Sequence, residues 1–274
     1  MILELYQPKL KKMMNKLFLF FTIFFISSPF VQGKIKHIFI DPNVIFITSH
    51  GRAAGYIGSW KALKYMNHTG HLPGQEYLFQ DLKDVPAQSK ILTYDEGLEA
   101  PLIISDWLLG TAQEELTRAV EKYLDASSLS EIEKTIHLST TKMMFDPISL
   151  ADIQKIRPGI EKLLRSLKNK KYSIYLAGNW TDIIPLKKRF SHIFELIDGV
   201  YISSEMKLLK PQKEFWESVL SLSGCNAEEC LCIEAEPVFF QATKQIPCQS
   251  IFYENGSNKK LRQALKNYGV NLSA

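Results

Sequence analysis

Four short apolar runs in the second half of the chain, separated by helical patterns, restrict its fold more than any other feature. Residues 172–176 (YSIYL), 199–202 (GVYI), 230–233 (CLCI) and 249–252 (QSIF) have strand length and β-rich composition. Helical patterns fill 182–196, 211–222 and 237–244, and one over 258–266 closes the chain. Upstream, Ile153, Ile156, Ile160, Leu163, Leu164 and Leu167 recur at helical spacing, which predicts a helix over 153–167 feeding the first of these strands. Strands alternating with helices imply right-handed βαβ crossovers and a parallel, doubly wound (Rossmann-like) α/β sheet. Ligands of such sheets sit beyond the carboxyl ends of the strands.

One further strand comes early. Residues 35–40 (IKHIFI) are apolar and end in a carboxylate, Asp41. Between about 52 and 152 no strand alternation is evident. Helical patterns at 53–66, 114–124 and 129–138 flank a Gly-, His- and Pro-rich stretch at 67–86 that reads as loop. The 274 residues therefore divide into an α/β core (34–51 and 153–274) and a mostly helical insertion (52–152), within the reach of one domain.

Residues 1–33 do not read as part of this fold. Lys9, Lys11, Lys12 and Lys16 precede the apolar run 17–26, Ser27, Ser28 and Pro29 break it, and Gly33 follows. That order is a secretory signal, with cleavage near Gly33 and a periplasmic or secreted product. The alternative is an uncleaved anchor, but a spanning helix needs ~20 apolar residues and this run is shorter. Met14 is a tidier start than Met1. The segment also explains the formal charge of +4: it holds four of the 33 basic and one of the 29 acidic residues, so the remainder is nearly neutral. Nothing there forms a nucleic-acid footprint. Lys168, Lys170 and Lys171 read as a solvated helix end. Export permits disulfides; the spacing of Cys225, Cys230, Cys232 and Cys248 is not a zinc pattern. Cys232 is expected as a buried thiol, and Cys225 with Cys230 as the candidate bridge.

The places beyond the strand ends are Asp41, the Gly178-Asn179 turn, the loop before Lys210, and Glu234. Here the sequence resembles the haloacid dehalogenase-like (HAD) superfamily, in particular members with a helical cap inserted after the first motif. The resemblance spans roughly 35–252. Ile40-Asp41-Pro42-Asn43 stands where the family has Asp-x-Asp. Leu176-Ala177-Gly178-Asn179 stands where it has a strand ending in Ser or Thr. Lys210-Pro211 matches its Lys before Pro, and Ile233-Glu234-Ala235-Glu236-Pro237 its terminal acids. The resemblance implies Asp41 as a nucleophile forming a covalent intermediate. Lys210 would neutralise charge on it and on the phosphoryl group. Gly178 and Asn179 would be the phosphate-binding turn, and Mg²⁺ would be held by Asp41 and Glu234. The partner would be a small-molecule phosphoester or anion.

Three positions depart from the family at chemically important atoms. Asn43 replaces the acid that protonates the leaving group, a change worth about 10²–10⁴-fold in rate. Gly178 lacks the hydroxyl; it is open to two readings, a turn needing Gly or a backbone cradle for an anion. Ala235 offers no ligand, and Glu236 sits either at the metal or in a first helical turn. Three functions follow: a phosphatase-type hydrolase of weakened activity, a non-catalytic relative that binds a ligand or protein, and a metal-independent dehalogenase-like enzyme. Elsewhere, His68 and His71 read as surface loop and His37 as packing. Trp60, Trp107 and Trp216 read as core or cap packing, with the 102–109 segment lining the cap's inner face.

Overall fold

The computed structural model describes residues 34–69, 72–73, 82–83, 85–95, 98–111 and 113–272. The expected signal, residues 1–33, and His71 lie outside them. Strand β1 (His37–Ile40) leads through the one-turn helix α1 (Pro42–Ile45) to β2 (Phe46–Thr48). Helices α2 (His50–Ile57) and α3 (Trp60–Thr69) follow, then the small hairpin β3 (Tyr94–Asp95) and β4 (Leu98–Glu99). Next come α4 (Leu102–Leu108), α5 (Gln113–Ala126), α6 (Glu131–Phe145) and α7 (Pro147–Ile153). The chain returns through β5 (Gln154–Ile156) to α8 (Ile160–Asn169) and β6 (Ser173–Gly178). Two short helices, α9 (Ile184–Arg189) and α10 (Ser191–Phe194), precede β7 (Gly199–Ile202). The last elements are α11 (Ser203–Met206), α12 (Lys213–Ser223), β8 (Cys230–Glu234), α13 (Pro237–Thr243), β9 (Gln249–Phe252) and α14 (Asn258–Asn267).

Five strands form one parallel sheet in the order β7-β6-β1-β8-β9. β1 is central and the chain moves outward from it first one way and then the other. The crevice between the tips of β1 and β8 is thus the point where the strand order reverses, the usual ligand position of an open α/β sheet. Period-2 alternation explains the two layers. Ile38, Ile40, Ile174, Leu176, Leu231 and Ile233 face one side, against Ile160, Leu163, Leu164 and Leu167 of α8 and Leu261 and Leu265 of α14. Phe39, Ala177, Cys230 and Cys232 face the other, against Phe215, Trp216 and Val219 of α12. Each fully buried aliphatic side chain contributes about 1.5–3 kcal/mol.

The stretch between β2 and β5 has apolar clusters of its own. One joins α2, α3 and α6 through Ala53, Ile57, Met66 and Met143. The other joins α4, α5 and α6 through Ile103, Leu116, Val120 and Phe145.

Several expectations need correction. The predicted helix 53–66 is two helices, because Gly58 at φ +70 ends the first in a left-handed cap. The predicted helix 153–167 starts only at Ile160, after Pro158 and Gly159; residues 154–156 are instead a strand antiparallel to β2, with Ile156 opposite Phe46. Ile153 and Ile156 thus kept a helical spacing that two other elements created. The helix over 182–196 breaks at Phe190, and the one after Lys210 begins at Lys213. Trp60 is 81% exposed, not packed. All four cysteines are thiols, Cys230 donating to the Asn226 carbonyl, so the Cys225–Cys230 bridge is not formed; Cys232 is a buried thiol as expected. Lys168 is paired with Asp198 at 2.7 Å. No helix among the described residues is long and apolar enough to cross a membrane.

Candidate active site

β1 ends with the Asp41 N–H donating to the Ile233 carbonyl of β8, which fixes Asp41 at the switch point. Pro42 occupies the first position of α1, where a missing N–H costs nothing. The Asp41 carboxylate then caps that helix: its Oδ1 accepts the Asn43 N–H at 2.8 Å. Its other oxygen, Oδ2, accepts from Lys210 Nζ at 2.9 Å. Lys210 also donates to both oxygens of Glu234 at 2.8 Å. Asp41, Lys210 and Glu234 therefore meet in one cluster. Lys210 and Glu234 are completely buried and Asp41 is 3% exposed.

Burial alone pushes the lysine toward neutrality, but the two carboxylates outweigh it and raise its pKa. Burial also raises Glu234, to about 8, against the downward pull of Lys210. One ammonium facing two buried carboxylates leaves an excess negative charge, and a proton on Glu234 removes it. The Lys210 ammonium further lies 5.1 Å from the centre of the Trp216 ring and 5.6 Å from that of Phe239.

Asn179 holds the lysine in place. Its Oδ1 accepts the Lys210 N–H at 2.8 Å, and its Nδ2 donates to the Lys210 carbonyl at 3.1 Å and to Thr93 Oγ1 at 3.0 Å. Both amide hydrogens are thereby committed. The Asn179 side chain, which the sequence suggested as a phosphate ligand, is thus bonded to the Lys210 backbone and to Thr93.

Gly178 is not explained by a left-handed turn. Its φ is not left-handed. A Cβ there would lie 2.4 Å from Pro42 Cδ and 3.2 Å from Asp41 Oδ2, so the glycine admits the Pro42 ring. This contact removes two oxyanion donors together: the hydroxyl that a Ser or Thr would supply at 178, and the N–H that any residue but proline would supply at 42.

The Mg²⁺ expectation fares similarly. Asp41 and Glu234 are spanned by an ammonium that takes three of their four oxygens; the fourth receives the Asn43 N–H. Magnesium wants oxygen ligands in a near-ideal octahedron, and these residues, so arranged, do not fit it. Ala235 adds no donor. Glu236, 9% exposed, is at the N-cap of α13.

Above the cluster lies a cavity of about 810 Å³. Asp41, Asn43 and Asn179 line it from the sheet side, and Trp107, Tyr94 and Phe145 from the segment between β2 and β5. Lys210 and Glu234 lie beneath this lining. The overlying segment is fastened to the sheet side by Thr93–Asn179, by Ser203 Oγ donating to the Leu108 carbonyl at 2.6 Å, and by Lys207 Nζ donating to the Leu109 carbonyl at 2.6 Å. Trp107 lines the cavity and packs on Phe145; His68 is exposed at the end of α3. Two contributors were missed. Pro42 was marked in the sequence only as the residue between Asp41 and Asn43. Arg157, which also lines the cavity, was marked only by its place where the chain returns to the sheet.

No protein-family model matches the sequence, and no curated protein does. Solved structures do. A HAD family enzyme from Bacteroides thetaiotaomicron, crystallised with magnesium and inorganic phosphate, is 19% identical over 82% of this chain and 96% of that one, with a TM-score of 0.50. A dehalogenase is 12% identical over 82% of this chain and 88% of that one, with a TM-score of 0.51. At such identities the likeness is one of architecture alone. The chain carries the haloacid dehalogenase-like fold.

Proposed function

We propose that this protein is a slow hydrolase of small phosphorylated molecules, with Asp41 as its nucleophile and residues 52–152 as the cap over the substrate. One observation carries the reading: a carboxylate at the switch point, paired at 2.9 Å with a buried lysine, opens on a cavity of about 810 Å³. An Asp41 oxygen attacks phosphorus, the bond to the leaving oxygen breaks, and water later cleaves the acyl phosphate to release inorganic phosphate. Lys210 holds charge on Asp41 throughout. The leaving oxygen needs a proton that the Asn43 amide does not supply, so water must provide it. Leaving groups stable as anions are therefore favoured. No step runs through Mg²⁺. The reading includes export with cleavage near Gly33, which N-terminal sequencing of the mature protein tests.

The test is phosphate release from p-nitrophenyl phosphate and from an alkyl phosphate, each with and without Mg²⁺. The expected result is measurable turnover of the aryl ester, far less of the alkyl ester, and none with Asp41→Asn. Turnover that survives Asp41→Asn contradicts the reading. A second reading, a binding protein without catalysis, is favoured by the Pro42–Gly178 contact and the donors it removes. It predicts no turnover of either ester. Halide release from 2-haloacids would instead support the dehalogenase-like alternative.

A further inference from the structure

Arg157 is a cation of this cavity that no acid among the described residues neutralises. It stands directly after β5, where the chain re-enters the sheet layer, and it lines the cavity together with Asp41 and Asn43. Among the described residues no carboxylate pairs with it. Its surroundings nevertheless hold it firmly. The Arg157 N–H donates to the Ile45 carbonyl at 2.8 Å, and Nη2 donates to the Asn43 carbonyl at 3.0 Å. The guanidinium carbon lies 5.3 Å from the centre of the Tyr253 ring. Gly256, at φ +65, leaves room for Nη1: a Cβ there would come within 2.6 Å of it. Meanwhile Nε is buried with no hydrogen-bond partner. Arg157 as a whole is half-buried, so the cavity reaches the side chain outside that enclosed nitrogen.

We propose that Arg157 is the phosphoryl receptor of the cavity, taking the place of the donors that Gly178 and Pro42 do not supply. The inference deepens the hydrolase reading and rests on it for the location of the substrate, but it concerns binding and not turnover. Asn43 links the two sites physically. Its N–H fixes Asp41 Oδ1 while its carbonyl receives Arg157, so receptor and nucleophile are joined through one residue. Arginine suits the task, since its planar fork can keep the Asn43 contact while presenting other N–H groups to an oxyanion.

The experiment measures inorganic phosphate binding by calorimetry and by the melting temperature, with acetate as the competing oxyanion. The wild-type chain is expected to bind phosphate in preference to acetate and to melt higher in its presence. Arg157→Gln is expected to lose about 10- to 100-fold in phosphate affinity, the range for charged hydrogen bonds, with the melting temperature in plain buffer little changed. Should that variant not fold, Arg157→Lys carries the test: it keeps the charge, loses the fork, and is expected to bind phosphate more weakly. Unchanged phosphate affinity in the folded variant overturns the proposal, as does a wild-type chain that prefers acetate or binds neither ion. Failure of the hydrolase reading appears separately, as absent turnover or turnover independent of Asp41, whatever phosphate affinity is found.

Discussion

The two flanks of Asp41 were built on opposite principles. Toward β8, its carboxylate meets a buried ammonium shared with Glu234, a charged and fully hydrogen-bonded arrangement. Toward β6, the next residue is a proline whose ring rests on a glycine, an apolar contact with no donor. The first flank lets the carboxylate stay charged although it is buried. The second offers no hydroxyl at 178 and no N–H at 42. Charge pairing and apolar packing thus meet on opposite sides of one carboxylate.

Three experiments break or sharpen that contrast. The largest effect is expected on the charged flank. Lys210→Met leaves two buried carboxylates without their cation and should cost about 3–5 kcal/mol, read from the denaturant midpoint at constant slope. An unchanged midpoint would mean that Asp41 and Glu234 are not held by that charge. On the apolar flank, Gly178→Ser should cost about 1–3 kcal/mol through overpacking against Pro42. The cost should largely vanish in a Pro42→Ala background, so a double-mutant cycle reports coupling between the two positions; additivity would remove the contact as the reason for the glycine.

The third effect is a pH slope. Glu234 has an ordinary pKa of 4.5 and is raised to about 8 in the folded chain. Between these values the native state holds a proton that the unfolded state has released, so stability falls as pH rises through that window, by at most about 1.4 kcal/mol per pH unit. Lys210, raised above its ordinary value, stays charged across it. Melting temperatures should decline over the window in the wild-type chain, and Glu234→Gln should flatten the decline. A decline of equal steepness in that variant would assign it to other groups.

The β6–β9 half of the fold was legible from residues alone, because its strands are apolar on both faces and each is followed by an amphipathic helix. Asp41, Lys210 and Glu234 were legible as a set because topology brings strand tips together whatever the loops do. What was not legible depended on close contact. The reason for Gly178 lies in a proline 136 positions away in sequence, and no local pattern carries that information. Asn179 offered the chemistry of a phosphate ligand, yet its amide is bonded to the Lys210 backbone and to Thr93, the latter in a segment to which the sequence assigned no element. β5 was hidden because its single core-facing Ile156 kept the spacing of the neighbouring helix.

Acid quenching of the chain during turnover of p-nitrophenyl phosphate, followed by peptide mass spectrometry, tests the central claim most directly. The account predicts a phosphoryl adduct on the peptide bearing Asp41, absent from Asp41→Asn. Turnover with no adduct on that peptide, or with the adduct on another residue, would contradict it.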